Sequence, residues 1–243
     1  MEFRHEYKYI ISERQAAILK NRVSALMAPD SHAGESGTYE IRSVYFDDID
    51  DNCYYQNDAG IDPRSKYRIR IYNASDKRIV LEKKMKQKGM TNKRQQSIGM
   101  DEYRMLMDDG VWNAGNAADT QADIAMTADY NFHKEPPLVK ELLILKQTRL
   151  MQPKVIVAYE RTPFIEPNGN VRVTFDDAIA SSEAFEDFFC SKLHKRSIMP
   201  LGYTLMEVKF DEFLPSYIRE NLEIGHLRQT SFSKYYLCRR YHT

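Results

Sequence analysis

The sequence predicts an α+β fold, an antiparallel sheet with one cationic face whose opposite, apolar face is covered by amphipathic helices. Three observations carry this. Seven stretches alternate apolar and polar residues with the period of two that a strand imposes. Helical repeats, such as Ala16, Leu19, Val23 and Leu26, stand between and after them. The polar positions of the strands are rich in Lys and Arg, although the 243 residues carry 35 basic and 35 acidic groups.

The elements follow in order. "FRHEYKYII" is a first strand, and Ser12 opens a helix with Gln15 at the capping-box position. "YEIRSVYFDD" is a second strand, followed by a short helical turn around "DIDDNCYYQ". "SKYRIRIYN" and "RIVLEKKMKQ" form a hairpin across "NASDK". The stretch 91–99 is polar on both alternating faces and reads as a mobile loop, with Lys93 and Arg94 solvated. Helices are expected at about 100–109, 119–130 and 137–149, the last opening with Pro136 and Pro137. "PKVIVAYERTPFI" and "NVRVTFDDA" make a second hairpin across Pro167-Asn168-Gly169. "GYTLMEVKFD" is a late strand, and "PSYIRENLE" and "SFSKYYLCRRY" are closing helices. With no repeat, low-complexity tract or linker, residues 1–243 are expected to form a single domain.

Composition excludes several classes. A zero formal charge gives no global attraction for nucleic acid or an anionic membrane. No apolar run approaches the roughly 20 residues of a membrane-spanning helix, and "MEFRHEYKYI" carries charges where a signal peptide needs apolar residues. Cys53, Cys190 and Cys238 match neither a disulfide framework nor a zinc pattern, so a cytoplasmic protein with reduced thiols is expected.

The charged faces point to chemistry. Lys66, Arg68 and Arg70 alternate with Tyr67, Ile69 and Ile71. Arg4, Glu6 and Lys8 share one face; so do Glu82 with Lys84, Arg172 with Asp176, and Glu207 with Lys209. The strand holding Arg161 is less regular, because Val155, Val157 and Tyr159 share its face. Together these faces present nine cations and four carboxylates. A single such strand reads as a solvated face. Their recurrence leaves two readings open, a solvated sheet or a closed, phosphate-binding tunnel, in which Arg suits bidentate contact with phosphate oxygens. The few carboxylates suit Mg2+ or Mn2+, which take carboxylate and phosphate oxygens together. Tyr45 is expected in the core.

In order along the chain, "FRHEYKYII", "VYFDD", "YRIRIYN", "LEKK", "YERTPF", "VRVTFDD", "MEVKF" and "SFSKY" resemble the VTC domain. This is the polyphosphate polymerase branch of the triphosphate tunnel metalloenzymes, whose wider relatives include the CYTH proteins. The resemblance implies an antiparallel β-barrel of about eight strands around a cationic tunnel. It implies transfer of the ATP γ-phosphate to a growing polyphosphate chain with Mn2+ or Mg2+. By the same resemblance Lys8, Arg68, Arg70, Lys84, Arg161, Arg172 and Glu207 are the expected catalytic residues. Tyr159, Ser233 and Lys234 are expected to bind substrate, joined by Lys66 and Lys209 from the alternation. Glu207, with Glu6 beside it in the pattern, is the expected metal ligand. Two departures stand out. Arg4 replaces the first Glu of the Glu-x-Glu-x-Lys opening of the wider group, which favours the polymerase branch. Ser231 stands where a polymerase carries a further lysine, which leaves grip on the product chain open. The resemblance further implies a bare catalytic module, without an SPX-like regulatory domain, leaving room for a membrane-associated partner protein. Hydrolysis of triphosphate and non-catalytic polyphosphate binding remain the alternatives.

Overall fold

One curled antiparallel sheet organises the chain, described in a computed structural model over residues 3–108, 134–223 and 227–241. Its strands are β1 (His5–Ser12), β2 (Ala28–Pro29), β3 (Tyr39–Asp47), β4 (Arg64–Tyr72), β5 (Ser75–Gln87), β6 (Met90–Ile98), β7 (Gln152–Glu166), β8 (Val171–Ser182), β9 (Arg196–Ser197) and β10 (Tyr203–Phe210). The spatial order is β1-β10-β8-β7-β3-β4-β5-β6, with β2 added to β7 and β9 to β8. The described helices are α1 (Glu13–Ser24), α2 (Asn52–Asp58), α3 (Met100–Met107), α4 (Pro137–Arg149), α5 (Ser216–Leu222) and α6 (Lys234–Arg240). The helix expected at 119–130 lies outside the described residues.

The two ends of the sheet meet. Arg4 N–H donates to the Thr91 carbonyl at 2.9 Å, and Thr91 N–H returns the bond to Arg4 at 3.0 Å. Farther along β1, where β6 has diverged, Thr230 N–H donates to the Lys8 carbonyl at 2.9 Å. The segment before α6 therefore covers strand edge that would otherwise expose unpaired backbone groups. The sheet thus curls into a barrel of eight principal strands.

The eighth of these, β6, corrects the reading of 91–99 as a loop. It pairs with β5 along its whole length, Lys84 opposite Lys93 and Met90 opposite Gln87. Neither Lys93 nor Arg94 is a free solvated cation. Lys93 pairs with Glu82 at 2.8 Å, and Arg94 pairs with Glu141 of α4 at 2.9 Å. Sequence alternation reports a strand only when one of its faces is apolar, and both faces of β6 are polar.

Helices cover the outside of the barrel in two groups. Ala16, Leu19 and Val23 of α1 pack with Ile218 and Leu222 of α5 on Val173, Phe175, Met206 and Val208. The capping box forms as expected, Ser12 N–H donating to Gln15 Oε1 at 2.9 Å. The apolar stripe ends at Val23, because the helix stops at Ser24 and Leu26 is exposed. On the other flank, Leu106 of α3 and Leu138, Val139 and Leu142 of α4 pack on Phe46, Ile69, Ile71 and Leu81. At about 1.5–3 kcal/mol per fully buried aliphatic or aromatic side chain, these layers fix which face of each strand points inward.

A third cluster lies inside the barrel. Tyr235 and Cys238 of α6 pack on Ile41, Val155, Val157, Tyr159 and Leu205, which explains the apolar positions sharing a face with Arg161. Asp47 anchors this floor. Its carboxylate accepts from Cys53 N–H at 2.8 Å and Tyr54 N–H at 2.9 Å, capping α2, and also accepts from the Tyr235 hydroxyl. Among the described residues, no helix is long and apolar enough to cross a membrane.

Gly169 at the β7–β8 turn has φ +71°, and a Cβ there would stand 2.7 Å from the Phe213 carbonyl oxygen. Gly169→Ala is expected to destabilise the fold by about 1–3 kcal/mol, read as a lower midpoint in denaturant unfolding.

Candidate active site

Because helices fix the apolar faces outward, the polar faces of β1, β4, β5, β7 and β10 turn into the barrel and line a cavity of about 940 Å³. Ten cations line it, Lys8, Arg64, Lys66, Arg68, Arg70, Lys84, Lys86, Arg161, Lys209 and Lys234, against three carboxylates, Glu6, Asp58 and Glu207. A chain with no formal net charge has placed a strong positive excess in its interior.

Buried carboxylates set the positions of these cations. Glu82 accepts from Arg68 Nε at 2.6 Å, with Lys93 Nζ at 2.8 Å and Arg70 Nη1 at 3.8 Å. Asp176 takes a two-point contact from Arg161, at 2.6 and 2.7 Å, and Lys234 at 2.6 Å. Glu6 meets Lys84 at 2.9 Å and Lys209 at 3.4 Å. Glu207 meets Lys234 at 2.8 Å, Arg161 and Lys209 at 3.4 Å, and Lys8 at 3.9 Å. Burial alone would push the Glu207 carboxyl up; the charges of Lys234, Lys209, Lys8 and Arg161 outweigh it and hold the group well below the usual carboxylate range.

The remaining expected residues complete one wall. Tyr159 accepts from Arg70 Nη2 at 3.3 Å, and its ring lies under Lys234 at 4.7 Å and Arg161 at 5.2 Å. Ser233 is the N-cap of α6, accepting from Tyr236 N–H, and also accepts from Lys66 at 3.3 Å. The Ser-Lys pair therefore has two tasks: Ser233 starts the helix, and Lys234 enters the barrel.

Of the seven expected catalytic residues, Lys8, Arg68, Arg70, Lys84, Arg161 and Glu207 line the cavity, as do Glu6, Lys66, Tyr159, Lys209, Ser233 and Lys234. Arg172 does not. It stands opposite Lys209 in the β8–β10 register, but its guanidinium turns to Asp30 at 2.7 Å and to the Tyr39 hydroxyl at 3.0 Å. Alternation gives the face a residue occupies, not the partner toward which its side chain turns. Tyr45 is buried in the inner core, as expected, yet its hydroxyl reaches the cavity and accepts from Arg68 at 2.6 Å. Glu82 and Asp176, named only as members of charged faces, emerge as the groups that hold the arginines in place.

Glu6 and Glu207 both lie 3.4 Å from the Lys209 ammonium, so their carboxylates are neighbours on one wall. Hard oxygen donors in that arrangement fit Mg2+ or Mn2+, which bind through one or two carboxylates and leave other positions to phosphate oxygens and water. Among the described residues no cluster of three or more His, Cys, Asp or Glu is arranged to hold a metal by itself.

Fold and site together define a barrel protein with a cation-lined interior cavity. The chain belongs to the VTC domain family, which it matches over residues 3–241. No curated protein matches it. Among solved structures, it is similar to a candidate adenylyl cyclase from Hippeastrum with a dominant triphosphatase activity. The TM-score is 0.54 at 12% identity, covering 99% of this chain and 96% of that one. A candidate adenylate cyclase from Bacillus halodurans gives a TM-score of 0.44 at 15% identity, covering 90% and 86% of the two chains. At such identities the Hippeastrum likeness speaks for the fold alone.

Lys66 gives the cavity a titration near neutrality. Among the described residues it contacts no carboxylate, only Asn57 Oδ1 at 2.8 Å, Ser233 Oγ and the Tyr235 ring. Burial, with the charges of Arg64, Lys84 and Lys8, pushes its ammonium down to about 7. An entering polyanion favours the protonated form, so above that value binding must take up a proton. Tripolyphosphate affinity is therefore expected to fall as pH rises from about 6.5 to about 8.5. Calorimetry in buffers of different ionisation heat should show proton uptake that Lys66→Met lowers, the remainder coming from Lys84, whose ammonium burial pushes down to about 8.

Proposed function

We propose that this protein is a polyphosphate polymerase that transfers the γ-phosphate of ATP to the end of a growing polyphosphate chain. The observation that carries this reading is the interior charge imbalance beside Glu207: ten cations on one cavity wall system, with adjacent carboxylates at Glu6 and Glu207. Membership of the VTC domain family supports the same reading.

In this mechanism Arg68, Arg70 and Arg161 hold the triphosphate oxygens, each guanidinium already oriented by a buried carboxylate or a tyrosine hydroxyl. Lys8, Lys84 and Lys209 stand around them and stabilise charge that shifts toward the leaving oxygen. A terminal oxygen of the acceptor chain forms the new bond to the γ-phosphorus, the bond from γ-phosphorus to the β,γ-bridging oxygen breaks, and ADP departs. The acceptor oxygen is already anionic, so no strong general base is required. Glu207 and Glu6 would hold a divalent metal, which would supply further positive charge to the site. Water in the acceptor's place would turn the same site into a triphosphatase, the activity of the Hippeastrum relative.

The test is phosphorus NMR of purified protein supplied with ATP, Mn2+ and a short polyphosphate primer. Internal-chain phosphate and ADP are expected. Orthophosphate alone would make the protein a hydrolase, and tight polyphosphate binding without turnover would make it a binding module. Arg70→Ala is expected to weaken metal-free tripolyphosphate binding by roughly 1.5–3 kcal/mol. Glu207→Gln is expected to abolish turnover while leaving that binding largely intact. Turnover that survives in the Glu207 variant would contradict the roles assigned.

A further inference from the structure

Arg172 sits one step beyond the cavity, and what holds it there has its own chemistry. β2 brings Asp30 to the end of the barrel, with Asp30 N–H bonded to the Pro163 carbonyl at 3.2 Å. The Asp30 carboxylate accepts from His32 N–H at 3.0 Å, faces His32 Nδ1 at 2.8 Å, and takes Arg172 Nη2 at 2.7 Å. Asp30 is buried, whereas the Arg172 side chain is 32% exposed. Two donors beside this pair are unused. Arg172 Nε and the hydroxyl of Thr174, two residues along β8, are buried without a hydrogen-bond partner among the described residues. Thr174 is fully buried and faces Glu207 across the β8–β10 register, one inward position along β8 from Arg172, whose own register partner Lys209 lines the cavity. Unsatisfied buried donors of this kind call for an acceptor, and an extended anion passing from Glu207 toward Arg172 would supply oxygens to both.

We propose that Asp30 is a length-selecting residue, holding Arg172 against the barrel end so that short anions bind without engaging it and long phosphate chains must exchange the Asp30 contact for their own. The inference rests on reading the cavity as a phosphate-chain site. Short anions meet Arg68, Arg70, Lys84 and Arg161 alone. A chain that continues past Thr174 reaches Arg172, and its oxygens compete with the Asp30 carboxylate for the same guanidinium. Asp30 thereby lowers the affinity for long chains relative to short ones.

The experiment compares tripolyphosphate with long-chain polyphosphate by calorimetry, metal-free and at one physiological ionic strength. Asp30→Asn keeps the acceptor oxygen for His32 N–H and removes the charge. It is expected to raise long-chain affinity about fivefold or more, the size of one partly exposed ion pair, and to leave tripolyphosphate within about twofold. Thr174→Val, equal in shape and lacking the hydroxyl, is expected to lower long-chain affinity only, and decides the matter if the Asp30 variant does not fold. Equal gains for both anions in Asp30→Asn, or no change for the long chain in either variant, would overturn the proposal. If the wild-type protein takes up neither anion, the cavity reading falls with it. If tripolyphosphate binds and neither variant discriminates by length, this inference alone falls.

Discussion

Everything inside the barrel depends on the pairing of inward cations with too few carboxylates. Glu6, Glu82, Asp176 and Glu207 are contacted by eight lysines and arginines: Lys8, Arg68, Arg70, Lys84, Lys93, Arg161, Lys209 and Lys234. Like charges about 4 Å apart repel by roughly 4 kcal/mol at the effective dielectric of a protein surface. The carboxylates make the arrangement tolerable and fix where each cation stands, but they do not neutralise it. The site is therefore electrostatically incomplete, and a multiply charged anion would relieve the repulsion between the cations. The cations are held in place before any ligand enters, so little ordering is left for binding to accomplish.

The surrounding fold exists to make that interior affordable. Apolar faces turn outward to α1 and α5 on one flank and to α3 and α4 on the other, so two conventional cores stabilise a barrel whose inside is polar. The inner floor is apolar where α6 lies and charged where α6 begins. Ser233 caps that helix, Lys234 reaches Asp176 and Glu207, and Tyr235 bonds to the carboxylate that caps α2. The closing segment is thus tied to the chemistry at its first residues and to the strand framework at the next.

Much of this was legible in the sequence because burial outside and charge inside produce opposite signals at alternate positions. Seven of the eight principal strands show that alternation, and the inward faces of Lys8, Arg68, Arg70, Lys84 and Glu207 follow from it; that of Arg161 does not, because Val155, Val157 and Tyr159 share its face. Strand β6 does not, since Thr91, Lys93 and Gln95 alternate with Asn92, Arg94 and Gln96, polar against polar. The position of Arg172 was hidden for a different reason. Its face is encoded locally, but its partner Asp30 directly follows a two-residue strand whose pairing with β7 has no alternating pattern. Glu82 and Asp176 looked like minor members of basic faces, because only the folded register places each beside two or three cations. The aromatic-rich tail read correctly as a helix, while its entry into the barrel needed the three-dimensional closure of β1.

The most direct measurement of the central claim is the unfolding midpoint of the metal-free protein at fixed ionic strength, with tripolyphosphate against an equivalent concentration of chloride. A ligand that binds only the folded state stabilises it by about 2.7 kcal/mol at a hundred times its dissociation constant. If the interior is a preformed, uncompensated polyanion site, the midpoint rises with the logarithm of tripolyphosphate concentration and chloride has little effect. If the inward charges are already balanced within the fold, tripolyphosphate and chloride shift the midpoint equally, and the account is wrong.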